Sequence, residues 1–430
     1  MSLETFAAEP SRALFPALER LWRLPVQGVL LRSLVAVLAT ISGTYVLLCV
    51  KFVALQTFGY PFGDFYALWT SAVVAHDGAP LLNYDADALH EKQVALGMNS
   101  HGYNPFPYPP TLLLALAPLG GLPMPVAYAI WMIPAALAYG LAMTAGRWRD
   151  WRWLCGAALA PATGITIISG QTGFLSGALM LGGFRLAAAR PVLAGVLFGL
   201  LAYKPQLGLL VPVALVAAGL WRSVLSAAAT VALCGLVSSL VFGFAAWPTW
   251  LHALRDYADR FPPVFELMPT IEASLLRLGA PKLLAEFLQF ATAAPVAAIV
   301  WSAFRRGVTR QGIALVLLGT FLATPHAFNY DMPMTTAAVL LYLCARYDAE
   351  ASLQLGVTLI AALALACPFL ILSLRFAPPF AFAILGLAFM MLARPWGPVV
   401  EWTTKRASKP AVDPEGHSCA QPASLSPLSS

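Results

Sequence analysis

Asp64, Lys204 and His326 are the side chains of this chain whose types and settings could do chemistry. Asp64 lies in Pro61-Phe62-Gly63-Asp64-Phe65-Tyr66, just beyond the first long apolar run, and opens a loop rich in acid. Asp64, Asp77, Asp85, Asp87 and Glu91 fall within 57–107 with Lys92 as the one Lys or Arg, and they are a quarter of the chain's 20 acids. Phe62, Phe65 and Trp69 flank Asp64. Apolar neighbours disfavour the charged form of a carboxyl and make it a better proton acceptor near neutral pH, as a general base requires. Lys204, in Lys204-Pro205-Gln206, is a lone ammonium in an apolar stretch. An ionisable residue there is costly and therefore a functional candidate. His326 sits in Thr324-Pro325-His326-Ala327-Phe328-Asn329-Tyr330-Asp331, a polar break between two apolar runs. The pattern suggests a membrane-embedded enzyme whose base faces away from the cytoplasm.

The elements that must position these residues are membrane helices. The chain is 59% hydrophobic and 11% charged, with a mean hydropathy of +0.74. Those values belong to the multi-spanning class. A crossing needs roughly 20 apolar residues. Long candidates are 33–56, 124–146, 171–189, 224–247, 283–303, 311–325, 332–346, 353–374 and 376–394; shorter ones are 108–121, 153–168, 191–203 and 206–220. Leu and Ala dominate without strand alternation, so the expected fold is an all-α polytopic bundle rather than a barrel.

The net charge of +6 is read through topology and gives no hint of nucleic acid, because the basic residues are spread between apolar runs. Arg12, Arg20, Arg23 and Arg32 precede the first span, Arg305, Arg306 and Arg310 share a loop, and Lys405, Arg406 and Lys409 follow the last span. The positive-inside rule puts both termini in the cytoplasm and the Asp64 loop outside. That requires an even number of crossings, about 12, with either 108–121 or 153–168 failing to span. The expected organisation is a cytoplasmic segment 1–32, a transmembrane domain 33–400 with larger outer loops at 57–107 and 247–281, and a disordered cytoplasmic tail 401–430. The first apolar run is long enough to remain as an anchor rather than a cleaved signal. Within the first loop, Asp64–His76 carries Phe65, Leu68, Trp69, Ala72 and Val73 on one helical face and reads as a helix on the membrane surface. Of the six cysteines, none has metal-ligand or redox spacing.

Four short signatures follow in order: Asp64 after the first span, Tyr108-Pro109-Pro110 after Tyr103-Asn104-Pro105, Gly170-Gln171-Thr172-Gly173, and Lys204-Pro205-Gln206. Their order and spacing over roughly residues 60–225 resemble glycosyltransferase family 87, polytopic mannosyltransferase-like enzymes of the GT-C class. His326 to Asp331 fits as a late motif. The resemblance implies a GT-C-like bundle in the plasma (inner) membrane of a bacterial-type cell. It implies transfer of a mannose-like hexose from a polyprenyl-phosphate carrier to a glycan, glycolipid or other envelope acceptor at the outer, periplasmic face. It further implies an inverting mechanism with Asp64 as base. Lys204, Gln206, Gln171, Tyr108, His326 and Asp331 are the substrate-binding candidates. A lipid monophosphate leaving group develops less charge than a nucleotide diphosphate, so a protein cation can serve where a metal otherwise would. Neither metal nor soluble cofactor is expected.

Each residue also has a structural reading. Asp64 can cap the helix that follows it, Lys204 can snorkel, and Tyr108 can be an interfacial aromatic. Gln171 can satisfy backbone groups at a helix terminus, and His326 can belong to a turn. Two rival functions also stand: a transporter or flippase of lipid-linked glycans, and an O-antigen-ligase-like enzyme. A transporter would favour paired charges near the bilayer midplane and short outer loops. The ligase would draw its key residues from a late outer loop, and neither rival makes Asp64 indispensable.

Overall fold

The computed structural model describes residues 24–26, 28–55, 63–97, 104–144, 151–260, 264–350 and 353–394. The expectations placed on 1–23, on the tail 401–430 and on Phe62 and Tyr103 therefore lie outside the described residues. The first described helix is α1 (Gly28–Leu55), and the segment between it and the bundle carries α2 (Phe65–His76) and α3 (Ala86–Ala95). Next come α4 (Pro110–Leu116), α5 (Met124–Thr144), α6 (Trp151–Leu159), α7 (Pro161–Ser169), α8 (Gly173–Leu186), α9 (Pro191–Leu200), α10 (Leu210–Ala217) and α11 (Trp221–Phe242). The stretch 246–277 carries α12 (Ala246–Arg260) and α13 (Ile271–Arg277); α14 (Lys282–Phe304), α15 (Arg310–Ala323), α16 (Pro333–Glu350), α17 (Leu355–Leu374) and α18 (Pro378–Ala393) complete the bundle. Two short strands, β1 (Pro25–Val26) and β2 (Leu353–Gln354), pair antiparallel.

Among the described residues five helices, in α1, α5, α11, α14 and α17, are long and apolar enough to cross a membrane, and seven shorter apolar helices accompany them. Their outward faces carry Ile41, Leu47, Ile133, Leu225, Leu240, Phe287 and Phe290, all well exposed. So much contiguous apolar surface marks a face that meets lipid. The chain is thus an all-α membrane protein. The stretch 153–168 is not one helix: Pro161 opens α7 directly after α6, and each piece is nine residues long. At 108–121, α4 is seven residues long and tightens into a 3₁₀ turn.

The centre of the bundle is α15. Every residue from Gly312 to Ala323 is buried, as a helix apolar all round must be. Small residues bring neighbours close. Gly195 and Gly199 form a small-xxx-small stripe on α9, and a Cβ on them would sit 2.4 Å from the Ser223 carbonyl oxygen and 2.5 Å from Thr230 Cβ. Ser223 and Ser226 hydroxyls then donate to the Pro191 and Val192 carbonyls, each at 2.8 Å.

The helix expected on the membrane surface, α2, is instead buried along most of its length, Thr70, Ser71 and Val74 included. On the face opposite Trp69 and Ala72 the Ser71 carbonyl accepts from Asn83 Nδ2 at 3.2 Å. At Gly120 a Cβ would lie 2.3 Å from the Ala72 carbonyl oxygen, so the turn after α4 crosses directly on α2. Trp69 reaches the same turn, its indole N–H donating to the Leu122 carbonyl at 3.0 Å.

Candidate active site

Breaks between helices, rather than helix interiors, carry the polar residues. Gly63 has φ +59°, and a Cβ there would fall 2.3 Å from the Ile168 carbonyl oxygen. Glycine alone fits this left-handed turn, which packs Asp64 against the end of α7. That end is shaped by a second glycine, Gly170, left-handed at φ 63° as the C-cap of α7. A third, Gly173, abuts the turn at 329–331: a Cβ on it would be 1.9 Å from the Tyr330 carbonyl oxygen. Gln171 is thereby held between Asp64 on one side and the late polar break on the other. The Gly-Gln-Thr-Gly signature is a packing requirement at both of its ends.

Asp64 occupies the N-cap position of α2, yet its side chain makes no capping hydrogen bond. The capping role is therefore not what its carboxylate does. The residue is partly accessible, although protein encloses it on most sides. Burial raises its pKa above the ordinary carboxyl range; the amides of Gln171 and Asn104, and then the Lys204 charge, oppose that shift. Asn104 is fixed by Gln93, whose side chain donates to the Asn104 carbonyl at 2.5 Å and accepts from its N–H at 3.2 Å. Gln171 is oriented in turn by Tyr108, whose hydroxyl donates to Gln171 Oε1 at 2.7 Å. With Oε1 so engaged, the amide N–H₂ is the half of Gln171 that can serve the carboxylate.

Lys204 lies between two 3₁₀ turns, Leu201–Tyr203 and Pro205–Gly208. The following proline disfavours helix at this position. Its ammonium is not isolated, as the sequence reading had it. Lys204 Nζ donates to Asp331 Oδ1 at 2.7 Å, with side-chain exposures of 4% and 1%. The pairing has a direct cause, because a buried ammonium needs a counter-charge and hydrogen bonds to remain ionised. Nζ also lies 4.7 Å from the Tyr330 ring centroid and 5.8 Å from that of Tyr108, within cation–π range. Asp331 accepts a second bond at Oδ2 from the Phe328 N–H, at 3.2 Å.

His326 is accessible at its surface and stands edge-on to Phe328, ring centroids 5.0 Å apart. Enclosure by protein and then the Lys204 charge push its pKa down, against Asp331, so the imidazole is neutral near pH 7. The accessible edge weakens that shift without reversing it. The break is braced from two sides: ahead of α13 the Thr270 hydroxyl donates to the Pro325 carbonyl at 3.1 Å, and on α14 Gln289 Nε2 donates to the Leu322 carbonyl at 2.9 Å.

Asp64, Tyr108, Gln171, Lys204, His326 and Asp331 thus meet at one end of the bundle. Gln206 does not join them; it lies on the next turn, half-buried, with no hydrogen bond to the cluster among the described residues. Tyr330, Asn104 and Tyr203, whose hydroxyl is 2.8 Å from Ser176 Oγ, are members that sequence reasoning passed over. Adjacency to Asp331 and Lys204 was the available signal for the two tyrosines. Among the described residues no three His, Cys, Asp or Glu side chains gather as metal ligands would. Arg310 opens α15 and Thr324 closes it, so the basic loop and the cluster are about 20 Å apart along one helix at 1.5 Å per residue.

A family model described as glycosyltransferase family 87 matches residues 106–325, just over half of the chain. The match includes Tyr108, Gln171 and Lys204, ends one residue before His326, and leaves Asp64 and Asp331 outside. No curated protein and no solved structure matches the chain.

Proposed function

The chain belongs to glycosyltransferase family 87, and from that premise we propose that it moves a mannose-like hexose from a polyprenyl-phosphate carrier to an acceptor at the outer face of the plasma membrane. One observation carries the reading. A carboxylate at a helix N-cap leaves the cap unmade and faces a buried ammonium and two side-chain amides. Asp64 takes the proton of the acceptor hydroxyl while that oxygen attacks the anomeric carbon from the side opposite the phosphate. The bond from the anomeric carbon to the phosphate oxygen breaks, its electron pair leaves with the lipid phosphate, and the configuration inverts. Lys204 stabilises the leaving phosphate. Asp331 keeps it charged and aimed, and Tyr330 and Tyr108 wall it in. His326, neutral and accessible, is the further donor to the phosphate or the sugar.

The basic loop at Arg305, Arg306 and Arg310 supports the orientation, since its cytoplasmic placement puts the far end of α15 outside. Five candidate spans with seven shorter apolar helices among the described residues support a polytopic bundle, for which about 12 crossings is our reading. The donor lipid enters sideways between helices, and the acceptor approaches over the two outer segments. The deciding assay incubates the full chain in nanodiscs with polyprenyl-phosphate [³H]mannose, or with GDP-[³H]mannose without lipid carrier, plus an envelope glycolipid extract. Label should pass to the extract only from the lipid-linked donor. Transfer from the nucleotide sugar alone would overturn the donor assignment.

A further inference from the structure

Between the two outer segments lies a cleft of about 320 Å³, within the usual range for small-molecule sites. Its floor is Asn83 and Tyr84 with Pro105–Pro107; the start of α3 forms one wall and α12 the other. The cleft shares a short stretch of chain with the catalytic cluster. The Tyr84 hydroxyl donates to the Tyr108 carbonyl at 3.2 Å, and the Phe106 and Tyr108 rings are 5.4 Å apart. On the other wall the Trp250 indole N–H donates to the Pro107 carbonyl at 3.0 Å, which ties α12 to the same stretch.

Tyr84 and Thr249 spend their hydroxyl protons on the Tyr108 and Ala245 carbonyls, so the side-chain groups the cleft leaves to an occupant are chiefly acceptors. Asn83 is 97% buried (3% exposed); its Nδ2 donates to the Ser71 carbonyl at 3.2 Å, while its Oδ1 is buried and has no partner. A buried amide oxygen left unpaired costs about 1–3 kcal/mol, so a donor belongs there. Asp85 uses one oxygen to cap α3 through the Asp87 and Ala88 N–H groups, leaving the other. Asp256 faces from α12, and Asp87 adds negative charge. His252 Nδ1 is 2.7 Å from the Pro248 carbonyl and so carries its proton there, which makes Nε2 an acceptor in the neutral ring. Among the described residues no Lys or Arg lines the cleft. Its occupant must therefore be rich in hydroxyl donors and free of negative charge.

We propose that this cleft is the acceptor subsite and that it takes neutral, polyhydroxylated sugar, discriminating against uronate- or phosphate-bearing sugar by its carboxylates. The proposal rests on the reading of the chain as a sugar transferase. Position supports it, because a sugar seated here is one stretch of chain away from Tyr108 and the Asp64 network.

Saturation-transfer NMR on the full chain in nanodiscs, without donor, gives the test. The probes are the methyl glycosides of mannose, glucose, galactose and N-acetylglucosamine, and methyl glucuronide. At least one neutral glycoside should bind, with the glucuronide about tenfold or more weaker. Ala253→Trp, which fills the cleft, should abolish the neutral signal, and Asp256→Lys should narrow or invert the preference. Both variants should still bind polyprenyl-phosphate mannose, which also reports their folding. Binding of no neutral glycoside, equal binding of the glucuronide, or a signal indifferent to both variants overturns the subsite. Failure of the wild-type chain to bind the lipid-linked donor is a separate result and counts against the transferase reading itself.

Discussion

Asp64→Asn separates catalysis from structure more sharply than any other single change. Loss of a general base typically costs about a hundred- to ten-thousand-fold in rate, or about 2.7–5.5 kcal/mol of barrier. A structural residue would lose stability together with activity. Here the structure requires the two to part. The carboxylate makes no cap bond that Asn would forfeit, and burial is the leading cause of its raised pKa. A carboxyl whose folded-state pKa lies above its unfolded value binds protons more readily when folded. It favours the fold most at pH below the unfolded value, and its ionised form costs stability as pH rises toward and past the folded value. Asn removes that cost. At pH 7.5 the variant should be at least as resistant to thermal aggregation in nanodiscs as the parent, and should retain donor binding, while transfer falls by about two to four orders of magnitude. The parent's rate should rise with pH along a single acid limb whose midpoint lies above the ordinary carboxyl range. A variant that loses stability in step with activity, or that transfers at near the parental rate, would refute the reasoning.

Three further outcomes test the surroundings. Lys204→Met leaves Asp331 buried without its counter-charge and should destabilise the protein by about 3–5 kcal/mol; Lys204→Met with Asp331→Leu should recover part of that in thermal inactivation, and an unaffected single variant would dissolve the pair's significance. Gly173→Ala places a Cβ 1.9 Å from the Tyr330 carbonyl oxygen and should cost about 1–3 kcal/mol by overpacking while reducing transfer, because α8 and the turn bearing Asp331 must separate; full activity would mean the contact is dispensable. In intact cells an impermeant thiol reagent should label Ala86→Cys and spare Gln311→Cys, and the reverse would put Asp64 on the cytoplasmic face.

What could be read from the sequence, and what could not, follows from the range of the interactions involved. Hydropathy is local, so the helical membrane class was legible from windows of about 20 residues, and breaks such as Gly170 to Gly173 and Lys204-Pro205 betrayed themselves by residue type. The burial of α2 was not legible. Phe65, Leu68, Trp69, Ala72 and Val73 announce one apolar face, whereas Thr70, Ser71 and Val74 look neutral in sequence although the fold buries them too and brings the Asn83 amide onto the Ser71 carbonyl. Nor was the partner of Lys204. Its ammonium seemed solitary because 127 positions separate it from Asp331, and no local pattern encodes a contact between the break that joins α9 to α10 and the turn that precedes α16. The same limit hid Asn83, an amide whose unpaired oxygen acquires meaning only when α12 closes the other wall of its cleft. In a bundle of this kind the helices are written locally. The site is written in the breaks between them, and those breaks become one place only after the apolar residues have packed.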